Sequence, residues 1–218
     1  MKAEPIMVIF MSRHAKEKIE RRLGEQLFLK GERCLGPKCA VVRRNYPPGI
    51  QGIKRRRKDS SEYGALSREK QKVRYFYGID NKDIKRYTET ALKRRGVFSF
   101  HVLQLLERRL DNVVFRLGFA ESRRQARQMV THGLVKVNGK IVRTPSYQVV
   151  RGDEIALKQG AVKSLLVTAA ALRIKKYEPP RWLEIDKAGQ TGSVLRIPEE
   201  SDVEIIFDAS KIKEFYSR

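Results

Sequence analysis

Residues 106–155 read LERRLDNVVFRLGFAESRRQARQMVTHGLVKVNGKIVRTPSYQVVRGDEI, and the pattern of this stretch decides the fold. Leu103, Leu106, Leu110, Val113, Val114 and Leu117 recur at helical spacing up to Gly118, which predicts one strongly amphipathic helix. Ser122, with Gln125 three residues on, forms a capping box. It opens a short helix whose apolar side is Ala126, Met129 and Val130 and which Gly133 closes. Leu134 to Val137 and Lys140 to Val142 alternate around Asn138-Gly139, a pair that supplies the positive φ angles of a type I′ turn, so a β-hairpin follows. Tyr147 to Val150 and Glu154 to Leu157, separated by Arg151-Gly152-Asp153, predict two more short strands. The compact module spans about residues 103–160.

Upstream, Ile19, Leu23 and Leu27 recur every four positions in a charged helical stretch over 13–28. Between Gly31 and Gly64, Gly36-Pro37, Pro47-Pro48-Gly49 and Gly52 break any helix. This irregular segment has few aliphatic residues and is expected to order against something else. Helix resumes near Leu66 and breaks at Gly78. Asp80 then N-caps a second helix, with Ile84, Tyr87, Thr88, Ala91 and Leu92 on one face, that ends at Gly96. Downstream, Ser164 to Tyr177 predicts a helix ended by Pro179-Pro180, and Trp182 to Ile197 two extended segments. Val203 to Phe207 is a strand candidate, and the last ten residues a helical turn.

The 218 residues carry 47 Lys and Arg against 25 Asp and Glu, a net charge of +22. Such a surplus opposes compaction by self-repulsion, and a polyanionic partner accounts for it. A hydrophobic content of 41% excludes a disordered basic tail. The surplus is +15 over residues 1–98, +6 over 99–160 and +1 over 161–218. Basic residues fall on helices, loops and hairpin alike, which favours nucleic acid over a membrane surface. The longest early apolar run, Ile6 to Met11, is too short for a signal core or a span of about 20 residues.

Within the module, Arg123 and Arg127 lie one turn apart, beside Arg124 and Gln128, on a helix whose apolar side is already occupied. All three arginines are therefore expected to point outward with Lys136 and Lys140, as forks for phosphate or as an ordinary solvated face. Residues 122–152 contain no acid to pair with them, which favours binding. Asp111 is expected to pair with Arg108. Tyr75, Phe76 and Tyr77 either stack on bases or join the core.

The 106–155 stretch resembles the RNA-binding module named for ribosomal protein S-four. FLKGERCLGPKCA at 28–40, NYPPG at 45–49, SREKQKVRYFYGI at 67–79, PRWLEIDKAGQTGSVLRIP at 180–198 and the terminal EFYSR resemble bacterial-type members of that family, in the same order. The resemblance covers about Leu27 to Arg218. It implies an α+β fold: a mainly helical domain built from residues 65–102 and 161–218, the module of 103–160 inserted within it, and a basic, partly irregular extension over 1–64.

It also implies a non-enzymatic constituent of the small ribosomal subunit that binds rRNA early and organises the subunit body. The partners it implies are rRNA, the neighbouring small-subunit proteins three and five, and mRNA at the entry channel, where the family contributes to unwinding and decoding accuracy. Cytoplasmic residence goes with that role, and no membrane is implied. The candidate rRNA-binding side chains are Arg43, Arg44, Arg68, Lys70, Lys72, Arg74, Arg116, Arg123, Arg124, Arg127, Lys136 and Lys140. Lys54, Arg55, Arg56 and Arg57 match the loop facing the mRNA entry, against the alternative of a flexible basic linker. Glu199, Glu200, Asp202 and Glu204 either meet a basic neighbouring protein or form a solvated acidic edge.

Cys34 and Cys39 form no disulfide framework, and Cys-x4-Cys supplies at most half of a tetrahedral zinc site. Zinc-holding relatives carry an earlier Cys pair, and Glu17 and Glu20 stand at the matching positions here. Two thiols without a metal are therefore expected, and no cofactor. His101 and His132 have no nucleophile or acid at catalytic spacing, and no phosphate-binding glycine loop occurs. The rival to a structural role is an RNA-modifying enzyme that borrows the module, but the flanks lack a catalytic constellation.

Overall fold

A computed structural model describes residues 16–53, 61–158, 177–186, 191–203, 205 and 207–217. The helix expected over 164–177 falls, except for Tyr177, outside the described residues, as do Lys54, Arg55, Arg56 and Arg57. The N-terminal segment forms α1 (Lys16–Leu23) and the single-turn α2 (Ala40–Arg43), joined by irregular chain. α1 stops short of Leu27, which turns back to bury its side chain in the helical core. Ser61 caps α3 (Glu62–Tyr77), its Oγ accepting the Gly64 N–H at 3.3 Å, so this helix starts a turn before Leu66. Gly78, at φ +65°, ends α3 in the left-handed conformation. Asp80 is the extended residue before α4 (Asn81–Leu92).

The single amphipathic helix expected across 103–117 is two helices, α5 (Phe98–Glu107) and α6 (Leu110–Arg116). The break has a cause outside the helix. Arg109 takes an extended conformation and bridges to Gln148, while the Leu110 and Asp111 amides donate to the carbonyls of Tyr147 and Pro145 at 2.9 and 3.2 Å. Those carbonyls satisfy amides that a helix start leaves unpaired. Residues 145–147 thus cap α6, and residues 147–150 pair there as a single bridge, not as the strand expected.

α7 (Arg123–Thr131) leads to the hairpin β1 (Val135–Val137) and β2 (Lys140–Ile141), with Asn138 at φ +49° and Gly139 at +77°. β3 (Glu154–Leu157), β4 (Leu183–Asp186) and β5 (Thr191–Val194) complete one antiparallel sheet in the order β2-β1-β3-β5-β4. The sheet therefore runs on past residue 160. β5 pairs with β3, and Trp182, Leu183 and Val194 join the module's core with Leu117, Met129 and Ile155, so residues 182–186 and 191–194 pack with the module rather than with the helical part. Gly192 permits this: a Cβ there would sit 2.6 Å from both methyls of Leu117.

A second core joins α3, α4, α5 and α8 (Ala209–Ser217) through Val73, Ile84, Leu103, Phe207 and Ile212. The Glu69 carboxylate accepts the Asp208 N–H at 3.1 Å, tying α8's entry to α3. Val203, Ile205 and Phe207 lie in no strand, and Val203 and Phe207 bury in this core instead. The architecture is α+β, a helical part and a small antiparallel sheet with its own helices.

Candidate nucleic-acid interface

The module presents a rigid surface because short-range contacts fix both of its turns. Ser122 Oγ accepts the Gln125 N–H at 3.3 Å, and Gln125 Oε1 accepts the Glu121 N–H at 2.8 Å, which sets the start of α7. At the hairpin, the Asn138 side chain donates to the buried Asp153 carboxylate at 2.8 Å and accepts the Glu154 N–H at 2.9 Å. Ala126, Met129 and Val130 are fully buried, leaving Arg124 and Gln128 exposed on α7 and Lys140 exposed at the turn; Lys136, half-buried, lies on the outer face of the sheet.

Arg123 and Arg127 do not point outward. The Arg123 guanidinium lies 3.8 Å above the Phe76 ring and 4.5 Å from that of Phe115, and its Nε donates to Asn112 Oδ1 at 2.7 Å. Burial is the main cause that lowers its pKa to about 10. Arg127 reaches Asp111 at 3.4 Å. Helical spacing leaves the direction open, and the aromatic shelf that captures Arg123 comes partly from α3, which the local sequence of α7 does not reveal.

Both arginines belong to polar networks that join the two parts of the molecule. Glu107, fully buried, accepts from Tyr77 at 2.8 Å, from the Asn112 amide at 2.8 Å and from Arg116 at 3.1 and 3.2 Å. Burial pushes its carboxyl up, but the charges of Arg116 and Arg123, with hydrogen bonds from Arg116 and Tyr77, leave it below the ordinary value. In the second network Arg109, fully buried, forks onto Asp111 at 3.0 and 2.7 Å and donates to the Tyr87 hydroxyl of α4 at 2.8 Å. Burial opposes its charge, yet Asp111 and Tyr87 raise its pKa. Asp111 thus pairs with Arg109 and Arg127; Arg108 instead donates to the Val149 carbonyl at 2.9 Å. The sequence signal for these networks is a set of charges, Glu107, Arg109 and Asp111, lying among residues of an apolar face.

The remaining candidates divide in the same way. Arg43, Arg44 and Arg68 are exposed, and Arg21 holds the loop beyond Arg44 by donating to the carbonyls of Arg44 and Tyr46. Lys72 is committed to Glu25 and Glu69 at 2.7 and 2.8 Å; Arg116 is committed to Glu107. Lys70 lies 3.9 Å from the Phe215 ring centre, and Arg74 lies over Tyr75. Phe76 and Tyr77 are buried in the helical core, while Tyr75 is half-buried at its edge. Lys16, not singled out by the sequence, lies near Arg124, and burial followed by the charges of Arg124 and Lys30 lowers its pKa. Gly31, at φ +60°, brings the N-terminal segment against the start of α7, since a Cβ there would meet the Glu121 carbonyl at 2.6 Å.

Of the acidic candidates, Asp202 and Glu199 are held by Arg196 at 2.7 and 3.0 Å, which takes Asp202 away from a partner's reach. Glu204 and the side chain of Glu200 lie outside the described residues. Cys34 and Cys39 are buried with reduced thiols. Burial raises the Cys34 pKa, and its sulfur lies 3.9 Å from the Glu20 carboxylate. Glu20 also accepts the Leu27 and Leu29 amides, and Glu17 is taken by Lys30 at 2.7 Å. Among the described residues no three His, Cys, Asp or Glu side chains converge as a metal site. No described helix is long and apolar enough to cross a membrane.

Residues 12–107 match the family described as the Ribosomal protein S4/S9 N-terminal domain, and residues 108–155 match the S4 domain. Proteins named small ribosomal subunit protein uS4 are similar over 198 residues, covering 91% of this chain and 94% of each relative. Identity is 48% for the Thermus thermophilus protein, 47% for that of Halothermothrix orenii and 46% for that of Acetivibrio thermocellus.

Proposed function

The chain belongs to the uS4 family of small-subunit ribosomal proteins, a structural constituent that binds rRNA, and we propose that it binds that rRNA directly as a primary, assembly-nucleating protein. The observation that carries this reading is the capped, anchored α7 with its exposed Arg124, followed by Lys136 and Lys140 on a fixed hairpin. Structured RNA hides its base edges in a deep, narrow groove, so recognition runs through shape and phosphates, and cations on rigid elements suit it. Arg43, Arg44 and Arg68 extend the surface onto the N-terminal segment and α3. Lys54 to Arg57 contact mRNA at its entry, proteins three and five are the neighbours, and through protein five the chain influences decoding accuracy.

The test is reconstitution of the full chain with small-subunit rRNA, before other proteins are added, across a salt series. The wild type binds with an affinity that falls steeply with salt, and Arg124→Ala with Lys140→Ala lowers the slope by about 1.5 to 2, close to one unit for each phosphate left without its cation. Binding that requires prior addition of other small-subunit proteins refutes the primary role. An unchanged slope in the double variant refutes the assignment of these two side chains.

A further inference from the structure

A second row of cations, made of residues that the sequence pattern does not single out, crosses from the helical part to the module. It starts at the turn after α4, where Lys93, Arg94 and Arg95 are all exposed. Arg94 reaches Gln104 on α5 with Nη1 3.5 Å from its Oε1. One helical turn on, about 6 Å along the axis, stands Arg108. The Arg108 side chain and backbone both bond to Val149, at 2.9 Å each, and two residues beyond Val149 the exposed Arg151 tips the turn before β3. The row is fixed at its start as well. Gly96 turns at φ +119°, and the His101 ring meets the Arg95 carbonyl at 2.9 Å through Nε2.

Among the described residues, three acids near this row have partners of their own. Glu89 faces Lys85, Glu199 is held by Arg196, and Asp153, bonded to Asn138 and the Val150 amide, offsets part of the repulsion on Arg108. Positive charge at the ends of α4 and α5 complements their helix dipoles, which explains single cations there. It does not explain Arg94 set against Arg108, where burial, and next the charge of Arg94, lowers the Arg108 pKa. Like charges held together on a rigid scaffold, with Arg151 added from a separate loop, make a ready-made polyanion site. Successive guanidinium forks fit successive phosphates.

We propose that Arg94, Arg95, Arg108 and Arg151 form a second RNA-docking surface, which takes a phosphate backbone at a place distinct from the one met by Arg124 and Lys140. This rests on the rRNA-binding reading above. Arg94→Ala, Arg95→Ala and Arg151→Ala combined remove only exposed side chains and leave Arg108's bond to Val149 in place. Filter binding of the full chain to small-subunit rRNA between 50 and 200 mM salt is the assay. Three phosphates left without their cations lower the salt slope by about 2.1 to 2.7, so the ratio of wild-type to variant affinity changes about 20- to 40-fold over that range. Hydroxyl-radical footprinting then shows a backbone segment that loses protection in this variant but not in Arg124→Ala with Lys140→Ala.

A wild-type slope in the triple variant, with a lowered slope in the Arg124 and Lys140 variant, overturns this inference alone. A wild-type slope together with loss of the variant from assembled particles also overturns it, in favour of an acidic protein partner. If the wild-type chain shows no salt-dependent binding, the rRNA-binding reading falls and this inference with it.

Discussion

Asp111→Asn isolates what the buried arginine network contributes. The substitution preserves shape while removing the charge that Arg109 grips through both arms of its fork, at 3.0 and 2.7 Å. Arg109 is fully buried and its one other side-chain partner among the described residues is the neutral Tyr87 hydroxyl at 2.8 Å, so it keeps its proton and is left as an uncompensated buried cation. Breaking a buried pair from one side costs about 3–5 kcal/mol. With a urea m-value of about 3 kcal/mol/M for a chain of this size, the midpoint falls by about 1 to 1.7 M. The assay is urea unfolding followed by circular dichroism, together with the Arg109→Met, Asp111→Leu double variant. Replacing both charges with apolar groups removes the desolvation problem, so the double variant unfolds near the wild-type midpoint. A single-variant shift below about 0.4 M, or a double variant as unstable as the single one, refutes the claim that the pair is locked by mutual compensation. Because Arg127 also rests on Asp111, the single variant loosens α7 against α6 as well.

Glu107→Gln tests the other network through pH. Its folded pKa lies below the ordinary 4.5, so the ionised group contributes stability above that value, and the contribution is lost as pH falls through the folded pKa. The variant is therefore less stable by about 3 kcal/mol at pH 7 and converges on the wild type below pH 4.5 in thermal melts; parallel curves contradict this. Gly192→Ala forces a methyl to within 2.6 Å of Leu117 and costs about 2 kcal/mol in the same unfolding assay. A loss smaller than about 0.5 kcal/mol shows that β5 does not need that close approach to α6. Metal analysis of the purified chain finds no stoichiometric zinc, and chelator leaves its melting midpoint unchanged, since Glu17 and Glu20 are already bound to Lys30 and to backbone amides. One zinc per chain contradicts this.

What the sequence made legible is what short range decides. Asn138-Gly139 and the Ser122 capping box lie where the pattern places them, because each is settled by a few neighbouring residues. The break between α5 and α6 was not legible, since its cause is a loop about forty residues on that caps α6 and an α4 hydroxyl that receives Arg109. The strand pair β4 and β5 was visible, but its attachment to β3 was not, because a strand's period says which face is buried and not which sheet it joins. The arginines carry the largest consequence. In Ser-Arg-Arg-Gln-Ala-Arg the three are equivalent by composition, yet Phe76 and Asp111 claim the first and the last and leave Arg124 exposed. With Arg109, Arg116 and Lys72 also bound internally, part of the +22 holds the protein together rather than the RNA. Counterion release counts only cations that reach phosphates, so the salt slope of binding reports the exposed set and falls well below what net charge suggests. The buried set acts indirectly, by fixing how α7 and the hairpin are held, which on the proposed reading sets the angle at which Arg124 and the hairpin lysines meet the RNA.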